Sequence, residues 1–416
     1  MNKEDIIKKA RHSAFYVCAF VKWTLFSLIT GVAGGGIGAG FSYLISYVTK
    51  VRTENDWLVY LLPVGGVLIA LSYHLLKVEH QGTNQVFEAV RSEKKVPCRL
   101  APAIVFGAGV THLLGGSAGK EGAALQLGGS VATLIGRVFR TDEKDRHILT
   151  VSGMAAVFSA VFGTPIGAAV FSAEVVSVGY MSLSALYPSF MSALVAFLVA
   201  GKLGVHPERF NVDIVPELTV DSLLKVVGAA VIAAIVSIVF CVAMRMSHKG
   251  FEKYIKNPYI RAVVGGAAVV ALTLLVGKDD YNGSGMHIIE GIFSGEDVSK
   301  LAFIFKIVFT AITIGSGFKG GEIVPTLFIG ATLGFSVADF IGLPVAFSAA
   351  VGMTALFGSV TNCPIATVFL ALELFGGEGV IFYALAVFVS FVLSGYFSLY
   401  TGQKIVFSKI KEEMRE

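Results

Sequence analysis

A chain of 416 residues with 55% hydrophobic and only 15% charged side chains, and a mean hydropathy of +0.74, is too apolar for a water-soluble domain and belongs in a bilayer. Its net charge of +4 is scattered, with no basic face interleaved with aromatics, which excludes a nucleic-acid binder. Four cysteines, Cys18, Cys98, Cys241 and Cys363, show neither CxxC nor metal-ligand spacing; they read as small core residues and imply no disulfide framework, metal or cofactor.

In chain order, Lys3, Lys8, Lys9 and Arg11 precede the first apolar run without a small-residue cleavage pattern, which predicts a cytoplasmic amphipathic helix over 1–16. Apolar stretches that span or nearly span lipid follow at 17–48, 57–76, 101–114, 181–200, 223–244, 260–276, 301–314 and 380–399. Two clusters between them read as cytoplasmic orientation signals: Arg91, Lys94, Lys95 and Arg99, then Arg137, Arg140, Lys144 and Arg146 mixed with Asp142, Glu143 and Asp145. A short tail over 410–416 is expected to close the chain, with no large soluble domain after it. The 47 glycines and 11 prolines lie inside the apolar stretches as well as between them, which predicts discontinuous helices whose freed backbone groups face a protein-lined cavity.

The chain repeats itself. Residues 153–174 (GMAAVFSAVFGTPIGAAVFSAE) and 352–373 (GMTALFGSVTNCPIATVFLALE) align without a gap and share eight of 22 positions. A unit used twice in a membrane chain is the pattern of transporters built from internal repeats, with the substrate near the bilayer midplane where the repeats meet. The expected division is a first transmembrane repeat over 17–209 and a second over 210–409.

The densest chemical signal is GGSAGKEGA at 115–123, leading straight into an apolar, helix-like stretch. Ionisable groups there are costly, about 2.5 to 3.5 kcal/mol on insertion scales, so Lys120 and Glu121 call for a function. Glycines before the acid let the backbone approach a ligand, and a helix starting near Glu121 aims free N–H groups and its positive dipole end at an anion. A carboxylate in that position can occupy the anion's place and leave when protonated. The bland alternative is a Lys120–Glu121 pair that stabilises a helix break.

The second half has a counterpart, GSGFKGGEIVP at 315–325, followed by a helix-like stretch over 326–341, with Pro325 suited to a first turn. LFIG at 327–330 lines up with LQLG at 125–128 across a gap of about three residues. Two such helix starts facing one another form one site lined by backbone amides. A third pair, Gly82-Thr83-Asn84-Gln85 and Gly283-Ser284-Gly285-Met286, supplies hydroxyl and amide donors for a dehydrated anion, although both are also ordinary loop sequences. Tyr400 could donate its O–H to the same site, while a membrane-interface tyrosine is the commoner reading. Glu174 and Glu373, which end the repeated stretch, read as helix caps or tethers.

Enzyme readings fail on context. Gly115-x-Ser117-x-Gly119 matches a nucleophile elbow by letters, but no strand precedes it and His112 stands in no triad order. Gly315-x-Gly317-x-x-Gly320 follows a transmembrane stretch rather than a strand of a βαβ unit, and Lys120 is followed by glutamate rather than the Ser/Thr of a Walker lysine.

Taken together, these residues resemble the CLC chloride channels and anion/proton exchangers over nearly the whole chain. GKEGA at 119–123 is similar to that family's gating-glutamate motif, which implies the gate role for Glu121, with Gly122 beside the anion. GGEIVP at 320–325 is similar to its G-x-F-x-P motif and implies that the amides of Glu322 and Ile323 hold the anion. By the same resemblance Thr83, flanked by Gly82 and Asn84, stands at the coordinating serine, and Tyr400 at the tyrosine that shares the site. The departures are Thr83 for serine, Ala123 for proline, Ile323 for phenylalanine, and Val175 after Glu174 where chloride/proton exchangers carry a second, proton-accepting glutamate. GFKGGE resembles instead the fluoride/proton exchanger branch, in which the acid at Glu322 serves proton movement, although that branch typically carries methionine in place of Thr83.

The resemblance implies an all-α polytopic membrane protein of two inverted-topology repeats of tilted, discontinuous helices, in the cell membrane with a cytoplasmic N-terminus, and a homodimer with one pore per subunit. The expected activity is halide transport, chloride favoured and exchanged for protons with Glu121 as gate; a fluoride/proton antiporter and an uncoupled chloride channel are the alternatives. Chloride or fluoride, protons and the lipid bilayer are the implied partners.

Overall fold

The structure, a computed structural model, describes residues 3–79, 81–92 and 95–411, with backbone alone for 3–12. In the first half the helices are α1 (Lys3–Thr53), α2 (Leu62–Leu75) after a 3₁₀ turn at Asp56–Leu61, α3 (Thr83–Arg91), α4 (Leu100–Leu113), α5 (Glu121–Val138), α6 (Glu143–Phe162), α7 (Pro165–Glu174) and α8 (Leu183–Lys202). The second half supplies α9 (Val220–Tyr254), α10 (Pro258–Val276), α11 (Met286–Phe293), α12 (Ala302–Gly315), α13 (Ile323–Ile341), α14 (Val345–Thr361), α15 (Pro364–Phe375) and α16 (Val380–Leu393). Helices α9–α16 therefore repeat α1–α8 in order. Among the described residues six helices are long and apolar enough to cross a membrane, and others are short apolar segments such as α4, α12 and α15.

The same local chemistry breaks both repeats at the same place. Helix α6 ends at Gly163 and α14 at Asn362, both left-handed (φ 80° and 56°), and Pro165 and Pro364 open the next helices at the position where a missing N–H is harmless. Other starts are capped by side chains: Asp142 accepts from the Asp145 N–H at 2.8 Å, and Asn257 from those of Tyr259 and Ile260 at 2.9 and 3.4 Å.

Packing follows the repeat too. Helix α5 crosses α6, and α13 crosses α14, at glycines: a Cβ on Gly128 would stand 2.7 Å from the Gly153 carbonyl carbon, and one on Gly330 2.6 Å from the Gly352 carbonyl oxygen. Small residues at these crossings let the backbones touch, which is how helices associate where lipid offers no hydrophobic drive. Because both crossings use the same pair, the three-residue gap expected between the motifs is real.

The repeats meet through equivalent elements, α2 with α10, α5 with α13 and α7 with α15. At the last pair, Glu174 at the C-terminus of α7 accepts from the Ile365 and Ala366 N–H groups that start α15, at 3.3 and 2.8 Å. Glu373 in α15 accepts from Ile166 and Gly167 at the start of α7, at 2.9 and 2.7 Å. Each helix holds the other's N-terminus, so the two run antiparallel and the repeats are inverted. The capping role expected of these two acids is what the geometry shows.

After α16 the chain turns back through Tyr400 and forms a two-stranded parallel ladder, β2 (Lys404–Ile405) on β1 (Ser177–Val178). Three expectations change. Residues 3–16 are no separate segment but run unbroken into α1; Met1, Asn2 and the side chains of 3–12 lie outside the described residues, as do Lys94 and, in the expected tail, 412–416. The last apolar run is helical only to Leu393, because Gly395 (φ 58°) starts the turn that brings Tyr400 inward. Cys241 and Cys363 are core residues, but Cys98 is half-buried and Cys18 faces outward from α1.

Candidate anion site

Two glycine-rich loops lead into α5 and α13, and the structure joins them. Gly119 N–H donates to the Gly321 carbonyl and Gly321 N–H to the Gly119 carbonyl, both at 2.7 Å, a two-way bridge linking the two repeats at their helix starts. The approach demands glycine, since a Cβ on Gly122 would fall 2.7 Å from the Gly321 Cα. The N-termini of two helices thereby converge with their free amides. The helix after the second motif starts at Ile323, a turn's fraction earlier than the expected 326, with Pro325 inside the first turn.

Four groups surround this bridge. Glu121, the first residue of α5, is completely buried, and neither of its carboxylate oxygens finds a hydrogen-bond partner among the described residues. Glu322, the N-cap of α13, likewise keeps Oε2 buried and unpartnered. The Tyr400 ring is 2% exposed and packs edge-on against Phe87 with ring centroids 5.0 Å apart; its hydroxyl is unpartnered and lies within electrostatic range of both acids. That burial overturns the reading of Tyr400 as an interface tyrosine. Thr83 starts α3, and its Oγ1 accepts from Gln126 Nε2 at 3.0 Å, which leaves its own O–H free to donate. Unpartnered polar groups are costly to bury, so three of them, Glu121, Glu322 and Tyr400, beside one bridge mark a place built for something other than stability.

Lys120 does not pair with Glu121. Its Nζ sits 3.6 Å from Glu208 Oε1, partly exposed, so the neighbouring lysine does not neutralise Glu121 as the bland reading supposed. Of the other expected site residues, Gly82 is the N-cap of α3 and Ile323 the first residue of α13, both with backbone at the site's edge. Asn84 is committed elsewhere: its Oδ1 accepts from the Gly402 N–H at 2.9 Å. Arg91, expected as an orientation signal, donates to the Gly402 carbonyl at 2.7 Å. Both residues fasten the turn that carries Tyr400 to α3.

Sequence reasoning missed three residues. Gln126, the one amide in the apolar body of α5, orients Thr83 and keeps Oε1 unpartnered. Gln403 donates to the Val175 and Thr361 carbonyls, both at 2.9 Å, and accepts from Ser398 and Asn362, thereby locking the Tyr400 turn onto both repeats. Lys306, the one charge in α12, is fully buried; it donates to the Tyr281 and Gly283 carbonyls at 3.1 and 2.9 Å and lies over the Phe328 ring. A lone polar residue in an apolar helix was the available signal for Gln126 and Lys306; Gln403, in a polar turn, carried none. At Val175, where a second glutamate was expected for chloride-type exchangers, the side chain is buried and its carbonyl is taken by Gln403.

Residues 65–395 match the family described as "Voltage gated chloride channel". The chain belongs to that family, the CLC family. A chloride/fluoride channel protein of Pseudomonas syringae pv. tomato is 33% identical over 95% of this chain and 90% of its own length. An H(+)/Cl(-) exchange transporter of Vibrio campbellii is 25% identical over 83% of this chain and 80% of its own. Among solved structures, a CLC-type fluoride/proton antiporter superposes with a TM-score of 0.90 at 32% identity, covering 93% of this chain and 98% of that one. This CLC protein is thus a multi-pass membrane protein of the anion-transporting kind, and the relatives just named are transporters and a channel rather than enzymes.

Proposed function

We propose that this CLC chain exchanges a halide for protons, with Glu121 as the gate that alternately blocks the anion site and carries the proton, and Glu322 as the second proton-bearing group. The supporting observation is the pair of carboxyls beside the Gly119–Gly321 bridge, Glu121 with both oxygens and Glu322 with Oε2 buried and unpartnered among the described residues. A passive channel needs no second acid at a helix start that already attracts anions.

The anion lies between the two helix starts, held by backbone amides at Gly122, Glu322 and Ile323 and by the hydroxyls of Thr83 and Tyr400, with Gly82 shaping the turn and Asn84 holding Tyr400 in place. Fluoride is the anion we assign. It is small and sheds water reluctantly, so it needs the strong, short hydrogen bonds that a protonated carboxyl or a phenol gives, and this site gathers two carboxyls and a phenol. The relative described as a chloride/fluoride channel protein and the fold of the fluoride/proton antiporter support the same choice. Chloride is the second reading, favoured by one observation: the free hydroxyl of Thr83 is a donor suited to a larger, softer anion.

The protein sits in the cell membrane with a cytoplasmic N-terminus, its repeats dividing near residue 210, and works as a homodimer with one pathway per subunit. The test is efflux from proteoliposomes loaded in turn with fluoride and chloride, with proton uptake recorded in the same vesicles. Protons driven uphill by an anion gradient establish exchange, and the faster anion identifies the substrate; efflux without proton movement makes the protein a channel.

A further inference from the structure

The C-terminal end of α1 carries a buried arginine that the anion site does not use. Arg52 is 6% exposed; its Nη1 pairs with Asp279 Oδ2 at 2.8 Å, but its Nε is buried and without a partner among the described residues. Asn282, 1% exposed, accepts the Thr273 hydroxyl at 3.1 Å on Oδ1 and leaves Nδ2 equally buried and unpartnered. The two side chains come from different repeats and border the same glycines. A Cβ on Gly115 would stand 3.2 Å from Asn282 Nδ2 and 3.5 Å from Arg52 Cδ, and one on Gly283 3.9 Å from Arg52 Nε.

The surroundings are electropositive. Lys306 donates to the Gly283 carbonyl from below, and buried His112, its Nε2 also unpartnered, lies within electrostatic range of Arg52, Lys120 and Lys306. The facing carboxylate, Asp279, is 55% exposed and already engaged by Nη1. The spot is also wired to the gate: Ala118 N–H donates to the Gly283 carbonyl at 3.2 Å, and residues 115–120 form one continuous loop that leads into Glu121 at the start of α5.

We propose that Arg52 Nε–H and Asn282 Nδ2–H form a second anion subsite, a staging point where the transported halide pauses between water and Glu121 on the membrane face where α1 ends. Two N–H donors from separate elements, one of them charged, border Gly115 and have no acceptor of their own among the described residues. The inference rests on the anion-transport reading and adds a position to the pathway.

Asn282→Asp keeps the shape and replaces the donor with a repelling carboxylate. In proteoliposomes of one orientation, half-saturation from the α1 C-terminal face is expected to rise about tenfold, as for loss of one hydrogen bond to a charged group, with half-saturation from the opposite face unchanged. Crystals of the wild type soaked in bromide are expected to show an anomalous peak within hydrogen-bonding distance of Asn282 Nδ2 and Arg52 Nε. A water at that position with bromide elsewhere overturns the subsite, and so does an Asn282→Asp protein impaired equally from both faces, which would make Asn282 a structural residue. The two readings fail separately, because vesicles that move no protons retire the exchange mechanism while the bromide peak still decides the subsite.

Discussion

Two pairs of glutamates stand where the repeats meet, at corresponding places in the sequence pattern, and their surroundings are opposite. Glu174 and Glu373 each accept two N–H groups from the helix start of the other repeat. Glu121 and Glu322 sit at helix starts themselves, and three of their four carboxylate oxygens have no partner among the described residues. The same side chain at a helix terminus is a brace when the amides are aimed at it and a moving part when they are left for a ligand. Satisfaction of hydrogen bonds, rather than burial or charge, separates the two, since each pair has one buried acid, Glu121 or Glu174, and one half-buried acid, Glu322 or Glu373.

That contrast can be broken in order of expected effect. Glu121→Gln removes the proton carrier but not the anion path, so proton uptake should vanish while anion efflux persists; coupling that survives would end the gate assignment. The pH response sharpens the same point. A proton on Glu121 frees the site, so wild-type efflux should speed up as pH falls, whereas Glu121→Gln should be flat across the range. Glu322→Gln tests the second acid: proton flux should drop steeply with anion flux partly retained, and an unchanged proton:anion ratio would leave Glu121 as the sole carrier.

The bracing pair should respond in the opposite currency. Glu174→Gln turns one accepting oxygen into a donor facing an N–H, so unfolding in detergent should shift by roughly 1.5 to 3 kcal/mol, while the protein that remains folded keeps its coupling and selectivity. Coupling lost in step with stability would dissolve the distinction. Smaller still, Thr83→Met, which removes the free hydroxyl, should raise the fluoride-to-chloride preference measured by competitive efflux, and an unchanged ratio takes Thr83 out of selectivity. Lys120→Met should cost only about 0 to 1 kcal/mol and leave coupling intact, because its partner is the partly exposed Glu208 and not the gate.

Much of this was legible beforehand because the physics is local. Apolar stretches and glycine before an acid act within a few positions, so the longer apolar helices, the presence of helix breaks and the start of α5 could be read from the chain, while the places of the breaks at Gly163 and Asn362 came from the structure. Asn84 was less legible because its partner, Gly402, lies more than 300 residues away, and only folding shows that its carboxamide is taken. Tyr400 was ambiguous for the same reason: an aromatic at the end of an apolar run looks alike whether the next turn points out or in, and Gly395 and Gln403 decide it.

The sequence by itself determined a membrane-embedded, twice-repeated, broken-helix protein with two acids at glycine-rich helix starts, because composition, periodicity and repetition are properties of the chain alone. Only the tertiary structure decided which acids are braces and which are free, that Lys120 turns to Glu208, and that the two helix starts are stitched together at Gly119 and Gly321. Those are questions of which distant backbone amide reaches which carboxylate, and inverted packing of the two repeats answers them by bringing equivalent residues together head to head.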